Sequence, residues 1–324
     1  MLARIAGNVQ LPAQLRGGVV AIGNFDGVHR GHQAVLERAL QEAQKRGVPA
    51  LVLTFHPHPR KFFRPQAPLF VLTPSEMKAK LLHKLGFAAM VEQEFTADFS
   101  TKSAEEFVGS ILQNNLGICH AVTGFNFHFG KNRQGGPAFL MDAGERHGFG
   151  VTLVDAFRDE GSHIISSSRI RELLALGDVE EAAGLLGYRF TVCGEVIDGQ
   201  KLGRTLGFPT ANMCLPEEVE LREGIYAVRF RRADGSLHNG VASFGRRPTV
   251  NDNGAPLLET FVFDFSGSLY GEICEVSFFS YLRGEEKFDG LEALVAQMKR
   301  DEQEARAVLA GVRPLSELDA AVSF

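Results

Sequence analysis

Two histidines three positions apart, His29 and His32, lie inside the run Gly23-Asn24-Phe25-Asp26-Gly27-Val28-His29-Arg30-Gly31-His32. The apolar segment Val19–Ile22 leads into this run, and a helical pattern from Gln33 to Arg46 leads out. That order is strand, glycine-rich turn, helix start. Gly23, Gly27 and Gly31 carry no Cβ, so the backbone can approach a ligand closely. A helix starting near His32 presents unpaired N–H groups and the positive end of its dipole, an anion seat. Both imidazoles can then donate hydrogen bonds to one phosphate chain. A lone loop histidine is more often a polar surface residue. Two of them woven into such a turn point to a nucleotide-phosphate site.

Three further stretches carry candidate chemistry. In Ile164-Ile165-Ser166-Ser167-Ser168-Arg169-Ile170-Arg171 the plain reading is a serine helix cap with surface arginines. Ser167 and Ser168, backed by Arg169 and Arg171, also make a clamp for triphosphate oxygens. In His56-Pro57-His58-Pro59 two histidines without a third ligand are a weak metal site, and a rigid pocket wall is the better reading. The segment from Gly199 to Asn212 spaces three glycines by four, with Lys201 and Arg204 beside Gly203. By composition it is an ordinary surface loop more often than a phosphate site, and no Gly-Lys-Ser/Thr closes it as a Walker A loop. It ends in Thr210 and Asn212, which in extended chain point a hydroxyl and an amide oxygen the same way. Hard oxygens beside nucleotide phosphates suit Mg²⁺, with Mn²⁺ or another hard ion open to the same donors.

The elements that must hold these groups follow from length and periodicity. At 324 residues the chain is long enough for two cores. Its net charge of −5 gives no footprint for nucleic acid. No apolar run approaches a membrane span, there is no signal-peptide pattern, and a cytoplasmic location is expected. The four cysteines are scattered without metal or disulfide spacing. From 19 to 157, strand-like runs (Val19–Phe25, Ala50–Phe55, Ala88–Phe95, Ala121–Phe127, Val151–Phe157) alternate with helical patterns at Gln33–Arg46, Pro74–Leu85 and Ala104–Asn115. Alternation predicts a Rossmann-like parallel sheet, an α/β N-terminal domain, with the polar motifs at the carboxyl ends of its strands. After Tyr188 the texture changes to short strands without intervening helices, from Phe190–Ile197 to Ile273–Leu282, then a helical pattern at Leu291–Leu309. This predicts an antiparallel β-barrel with a C-terminal helix. The boundary is expected near 186, giving domains 1–186 and 187–324.

GNFDGVHRGH resembles the His-x-Gly-His signature of nucleotidyltransferases, and ISSSRIR resembles their second phosphate-binding segment. With TFHPHP and GFNFHFGKNRQGG in order, residues 15–186 resemble the adenylyltransferase half of the bacterial bifunctional riboflavin kinase/FAD synthetases. In the second half, PTAN at 209–212, GRRPT at 245–249, LETFVFDFSGSLYG and YLRGEEKF resemble riboflavin kinases over 187–309. Three positions depart from the family pattern: Asn126 for a usual aspartate, Phe261 for a frequent histidine, and Ser268 for an aspartate.

The resemblance implies ATP-dependent phosphorylation of riboflavin to FMN, then adenylylation of FMN to FAD. It implies His29 and His32 as catalytic groups of the second step. Gly23, Phe25, Gly31, Asn126, Ser167, Ser168, Arg171, Lys201, Gly203 and Arg204 would bind nucleotide, and His58 and Arg283 flavin. Glu259 would be the base of the kinase step and Thr210 and Asn212 the metal ligands. The chemistry divides accordingly. The FMN phosphate is already largely dianionic near neutrality and needs no base. The ribityl alcohol is un-ionised, so a positioned carboxylate assists its proton loss. Small-molecule substrates follow, with no nucleic acid or membrane partner, and apoflavoproteins could act as clients. Two rivals stay open: a chain that kept only one activity, and a non-catalytic flavin carrier on the same folds.

Overall fold

The four residues Val19–Ile22 are buried along their whole length, as a strand must be when helices cover both faces of its sheet. In the computed structural model, which describes residues 2–199, 206–246 and 254–324, the chain forms two units, Met1–Ser167 and Ser168–Phe324. The first unit holds six strands: β1 (Ala3–Ala6), β2 (Val19–Ile22), β3 (Ala50–His56), β4 (Ala89–Glu94), β5 (His120–Gly124) and β6 (Gly150–Val154). Their order is β1-β4-β3-β2-β5-β6, and every pairing is parallel. From β2 the chain runs outward through β3 and β4 on one side, and later through β5 and β6 on the other. The strand order therefore reverses at β2, and ligands of such sheets bind beyond the carboxyl end at that point. The Gly23–His32 run leaves the sheet there.

Differences from the expected elements have local causes. The first expected strand stops at Ile22 because Phe25 takes a left-handed backbone (φ 47°), which no ladder accommodates. The helix expected from Ala104 starts with a capping box between Ser103 and Glu106 and then widens to π-type winding over Phe107–Leu116. Edge strand β1 and the helix Pro137–His147 were not expected; β1 is four residues long and mostly exposed, too short for a periodic signal. Leu51, Leu53, Val91, Phe107, Val108, Ile111 and Leu112 build the core beneath one face of the sheet.

In the second unit two helices, Ser167–Leu176 and Val179–Leu186, precede β7 (Thr191–Glu195), β8 (Thr210–Cys214), β9 (Gly224–Arg231), β10 (Leu237–Arg246), β11 (Pro256–Val262) and β12 (Ile273–Arg283). These form one antiparallel sheet in the order β7-β12-β9-β10-β11-β8. An isolated bridge between Ile197 and Asn212, with the Ile197 N–H donating to the Asn212 carbonyl at 2.8 Å, brings the two edges together into a near-closed barrel. The helix Leu291–Gly311 packs Ala305 and Leu309 against Ala227, Phe263 and Phe279. A last helix, Glu317–Ser323, is tied back by a buried ion pair, Arg189 to Asp319 at 2.9 Å.

Candidate active sites

In the first unit the run after β2 is strained and heavily tied. Phe25 (φ 47°) and Val28 (φ 40°) both sit in the left-handed region, costing about 1–3 kcal/mol each unless the surroundings over-determine them. The surroundings do. The Asn24 carbonyl accepts from Lys78 Nζ at 2.7 Å and from Thr54 Oγ1 at 3.1 Å. The Phe25 carbonyl accepts from Thr73 Oγ1 at 3.3 Å, and the Asp26 carbonyl from Ser167 Oγ at 2.8 Å. The Val28 carbonyl accepts from Gln33 Nε2 at 2.7 Å. In turn the Thr73 N–H donates to Asp26 Oδ1 at 3.1 Å, and the Gly27 N–H to Thr73 Oγ1 at 2.8 Å.

The imidazoles occupy the start of the helix Arg30–Arg46. His29 is its N-cap, and His29 Nδ1 accepts the backbone N–H of His32 at 3.2 Å. A neutral His29 therefore carries its proton on Nε2. The two rings stack with centroids 3.6 Å apart and 16° between planes, and Phe25 meets His32 edge-on at 5.4 Å. His29 is only 5% exposed. His32 Nδ1 is buried and has no hydrogen-bond partner. Burial first, then the His29 ring and the Lys78 charge, hold His32 well below the ordinary imidazole pKa. His32 is thus a half-buried ring whose charged form is penalised, a penalty that a neighbouring anion would offset. Gly31 makes room for the stack: a Cβ there would lie 3.2 Å from the His29 ring. Gly23 likewise carries the Phe25 ring over its backbone, where a Cβ would meet Cζ at 3.0 Å.

The other expected groups of this half are placed as follows. His58 is the N-cap of the short helix Pro59–Phe63 beyond β3, its Nδ1 accepting from the Arg60 N–H. Beside it lies a cluster of phenylalanines, Phe62, Phe63, Phe95 and Phe99, in edge contact. Asn126 is exposed beyond β5, its carbonyl bonded to the His128 ring at 2.8 Å. Of the helix Ser167–Leu176, Ser167 closes the first unit, whereas Ser168, exposed, and Arg171, buried, belong to the second. Lys201, Gly203 and Arg204 lie outside the described residues.

In the second unit the register assembles the site. Glu259 of β11 pairs directly with Asn212 of β8 and, on its other side, with Ser243 of β10. Ser243 pairs with Ile225 of β9, and Ile225 with Arg283 of β12. Cross-strand partners share a face, so Asn212, Glu259, Ser243 and Arg283 form one row across the sheet. The adjoining row, Thr210, Phe261, Val241 and Ala227, runs toward the covering helix. Thr210 thus stands beside Asn212 on the face that carries Glu259. Asn212 is 3% exposed, and its Oδ1 is buried with no hydrogen-bond partner, while Nδ2 donates to the Thr210 carbonyl at 3.3 Å. Gly199 lies so close that any side chain there would collide with the Asn212 amide. An orphaned amide oxygen beside a hydroxyl and a carboxylate position fits a hard cation. Among the described residues no group of three or more His, Cys, Asp or Glu could hold a metal.

Arg283 is committed within this row. Its Nε and Nη2 bind the two oxygens of Asp301 at 2.8 and 2.7 Å, a fork that clamps the helix Leu291–Gly311 to β12. Glu285, just beyond, fills the space that Gly245 leaves open. Burial, then the carboxylates of Glu223 and Glu259, raise its pKa, against the pull of Arg283. Sequence reasoning did not find Lys78, Thr73, Thr54, Ser243 or Glu285. Lys78 lies at a buried position of a helix whose pattern otherwise reads as ordinary amphipathicity, and only its burial sets it apart.

Two family models match the chain in succession, FAD synthetase over residues 11–169 and riboflavin kinase over 186–309. A bifunctional riboflavin kinase/FMN adenylyltransferase of Listeria monocytogenes is 42% identical, covering 90% of this chain and 92% of its own. One of Escherichia coli is 36% identical over 93% and 96% of the two chains. A crystal structure of a macrolide-efflux protein from Streptococcus pneumoniae superposes with a TM-score of 0.83 at 29% identity, covering 94% of this chain and 99% of the other. No helix among the described residues is long and apolar enough to cross a membrane.

Proposed function

This chain belongs to the bifunctional riboflavin kinase/FMN adenylyltransferase family, and on that premise we propose how its residues divide the two reactions. The enzyme phosphorylates riboflavin to FMN with ATP, and joins FMN to the adenylyl group of a second ATP, giving FAD and pyrophosphate. We assign adenylyl transfer to residues 1–186 and the kinase reaction to 187–324. ATP as co-substrate of both steps makes the cytoplasm the compartment this reading assigns.

For the kinase step the register pairing of Glu259 with Asn212 carries the assignment. Glu259 accepts the proton of the ribityl hydroxyl as its oxygen attacks the γ-phosphorus of ATP, and ADP leaves. Thr210 Oγ1 and Asn212 Oδ1 are the donors that would hold a magnesium ion. Such an ion neutralises phosphate charge when bound. Arg283 orients the flavin end of the site, its guanidinium held by Asp301. Lys201, Gly203 and Arg204 keep the phosphate-binding role that the resemblance gives them.

For adenylyl transfer, an FMN phosphate oxygen attacks the α-phosphorus of ATP and pyrophosphate departs, with no base required. His29 and His32, at the point where the strand order reverses, stabilise charge on the transferring phosphate. Gly23, Phe25 and Gly31 shape the seat, and Ser167 Oγ holds the Asp26 carbonyl within it. Asn126 bounds the nucleotide side and His58 the flavin side; Ser168 and Arg171 serve the phosphates by resemblance. The test is an incubation of the full chain with riboflavin, ATP and Mg²⁺, followed by separation of the flavins. FMN should appear first and FAD after it. FMN without FAD removes the adenylyl-transfer reading. FAD from supplied FMN, with no product from riboflavin, removes the kinase reading.

A further inference from the structure

The lysine of the helix Ser75–Leu85 is an outlier in its surroundings. Lys78 is 8% exposed, at a helix position flanked by the buried Met77 and Ala79. Its ammonium reaches the loop after β2, donating to the Asn24 carbonyl at 2.7 Å and to Thr54 Oγ1 at 3.2 Å. Thr54 Oγ1 donates to the same carbonyl at 3.1 Å, so one backbone oxygen at the head of the strained run is held by two buried donors. A buried lysine is costly without a compensating function or partner. Burial lowers the pKa of Lys78, and the carboxylates of Asp26 and Glu92 pull it back up. A bond to one carbonyl could be supplied by any neutral donor. The charge faces Asp26 and Glu92, and it also bears on the His32 imidazole.

Resting on the reading of the His29–His32 stack as the adenylyl-transfer site, we propose that Lys78 is a positioning residue for that reaction: its ammonium pins the Asn24 carbonyl and sets the electrostatic environment of the His32 imidazole. The geometry supplies both halves. Asn24 directly precedes Phe25, whose left-handed backbone swings its ring over Gly23 and edge-on against His32. Pinning Asn24 therefore places the ring that walls His32. The charged and titratable groups that bear on His32 are His29, stacked on it, and Lys78, both opposing its protonation. Asp26 and Glu92 act on Lys78 in turn, and Glu92 is itself engaged by Ser75 and Arg4. The consequence is a ring that resists protonation until an anion reaches it, so that ATP arrival and His32 protonation are linked.

The experiment uses the full chain with histidine-selective ¹⁵N labelling, the His32 signal being assigned by its loss in His32→Asn. Removing the charge in Lys78→Met should raise the His32 titration midpoint by about half a pH unit or more. The ionisation seen in kcat/KM for ATP in FAD formation should move the same way, and FAD formation should fall about tenfold or more. Lys78→Arg keeps the charge and should keep the His32 midpoint near its native value. Riboflavin phosphorylation, followed in the same samples, should not change. If Lys78→Met does not fold, Lys78→Gln, an uncharged donor, takes its place with the same expectation. A folded uncharged variant with an unmoved His32 midpoint overturns the proposal, as does a Lys78→Arg shift equal to that of Lys78→Met. FAD formation that survives in His32→Asn overturns instead the reading of the stack as the site.

Discussion

Glu259 and Asn212 stand directly opposite one another across the β8–β11 ladder, and the Asn212 amide oxygen beside them is buried without a partner. The proposed base of the kinase step and the oxygen proposed to meet its metal are thus held by the same pair of strands. Glu259→Gln keeps shape and removes the basic oxygen. FMN formation should slow by about 10²–10⁴-fold, while conversion of supplied FMN to FAD keeps its rate. Rates for both steps by flavin separation decide it; FMN formation within a few-fold of native would discard Glu259 as the base.

Asn212→Ala removes the orphaned acceptor. The Mg²⁺ concentration giving half-maximal riboflavin phosphorylation should rise about tenfold or more, and chelator should stop the native reaction. A Mg²⁺ titration of native and variant enzyme that superimposes would remove Asn212 from the metal site.

Gly31→Ala places a methyl 3.2 Å from Cε1 and Nδ1 of His29. The ring must shift or the helix start must give, at a cost of about 1–3 kcal/mol. FAD formation should drop by about tenfold or more, with riboflavin phosphorylation kept. Equal losses in both reactions would mean a general folding defect rather than a displaced imidazole.

His120, at the amino end of β5, binds Arg46 Nη2 through Nδ1 at 3.0 Å and Thr152 Oγ1 through Nε2 at 2.8 Å. Burial foremost, then Arg46, lowers its pKa, against Glu42. The unfolded chain therefore takes up a proton that the folded chain refuses. Stability should be complete above about pH 6.5, the unfolded value, and decline as pH falls below it. The slope contributed is at most about 1.4 kcal/mol per pH unit for each such histidine. His32, lowered in the same direction, adds to it. Urea midpoints between neutral and mildly acid pH should show the decline, and His120→Gln should flatten part of it. An unchanged slope in that variant would assign the decline elsewhere.

Asp319 is fully buried, taking Arg189 Nη1 at 2.9 Å, the Arg189 N–H at 2.8 Å and the Leu315 N–H at 2.9 Å. Asp319→Ala strips the buried guanidinium of its carboxylate and two amides of their acceptor, and should cost about 3–5 kcal/mol. Denaturant unfolding of the variant checks this, and a loss below about 1 kcal/mol would place the pair among weak surface bridges.

Both sheets were readable from the chain because their strands alternate with helices in one half and follow one another without helices in the other. Short or exposed elements, β1 above all, were not, since four residues give no period to read. The run proposed as the phosphate seat is a local word: glycines and histidines close in sequence after a buried strand. Lys78 is not, because its meaning depends on a carbonyl more than fifty residues earlier.

By itself the sequence determined which groups are present and what each can do: imidazoles at a helix start, hard oxygens two apart, a carboxylate in a strand. Local spacing suffices for that, because a turn or a pleat acts over a few residues. Only the tertiary structure decided who meets whom. The register of β11 against β8 sets Glu259 opposite Asn212, Asp301 takes the guanidinium of Arg283, and burial makes a lysine part of the loop it supports. Those outcomes come from long-range strand pairing and core packing, where a one-residue slip would turn every side chain to the other face.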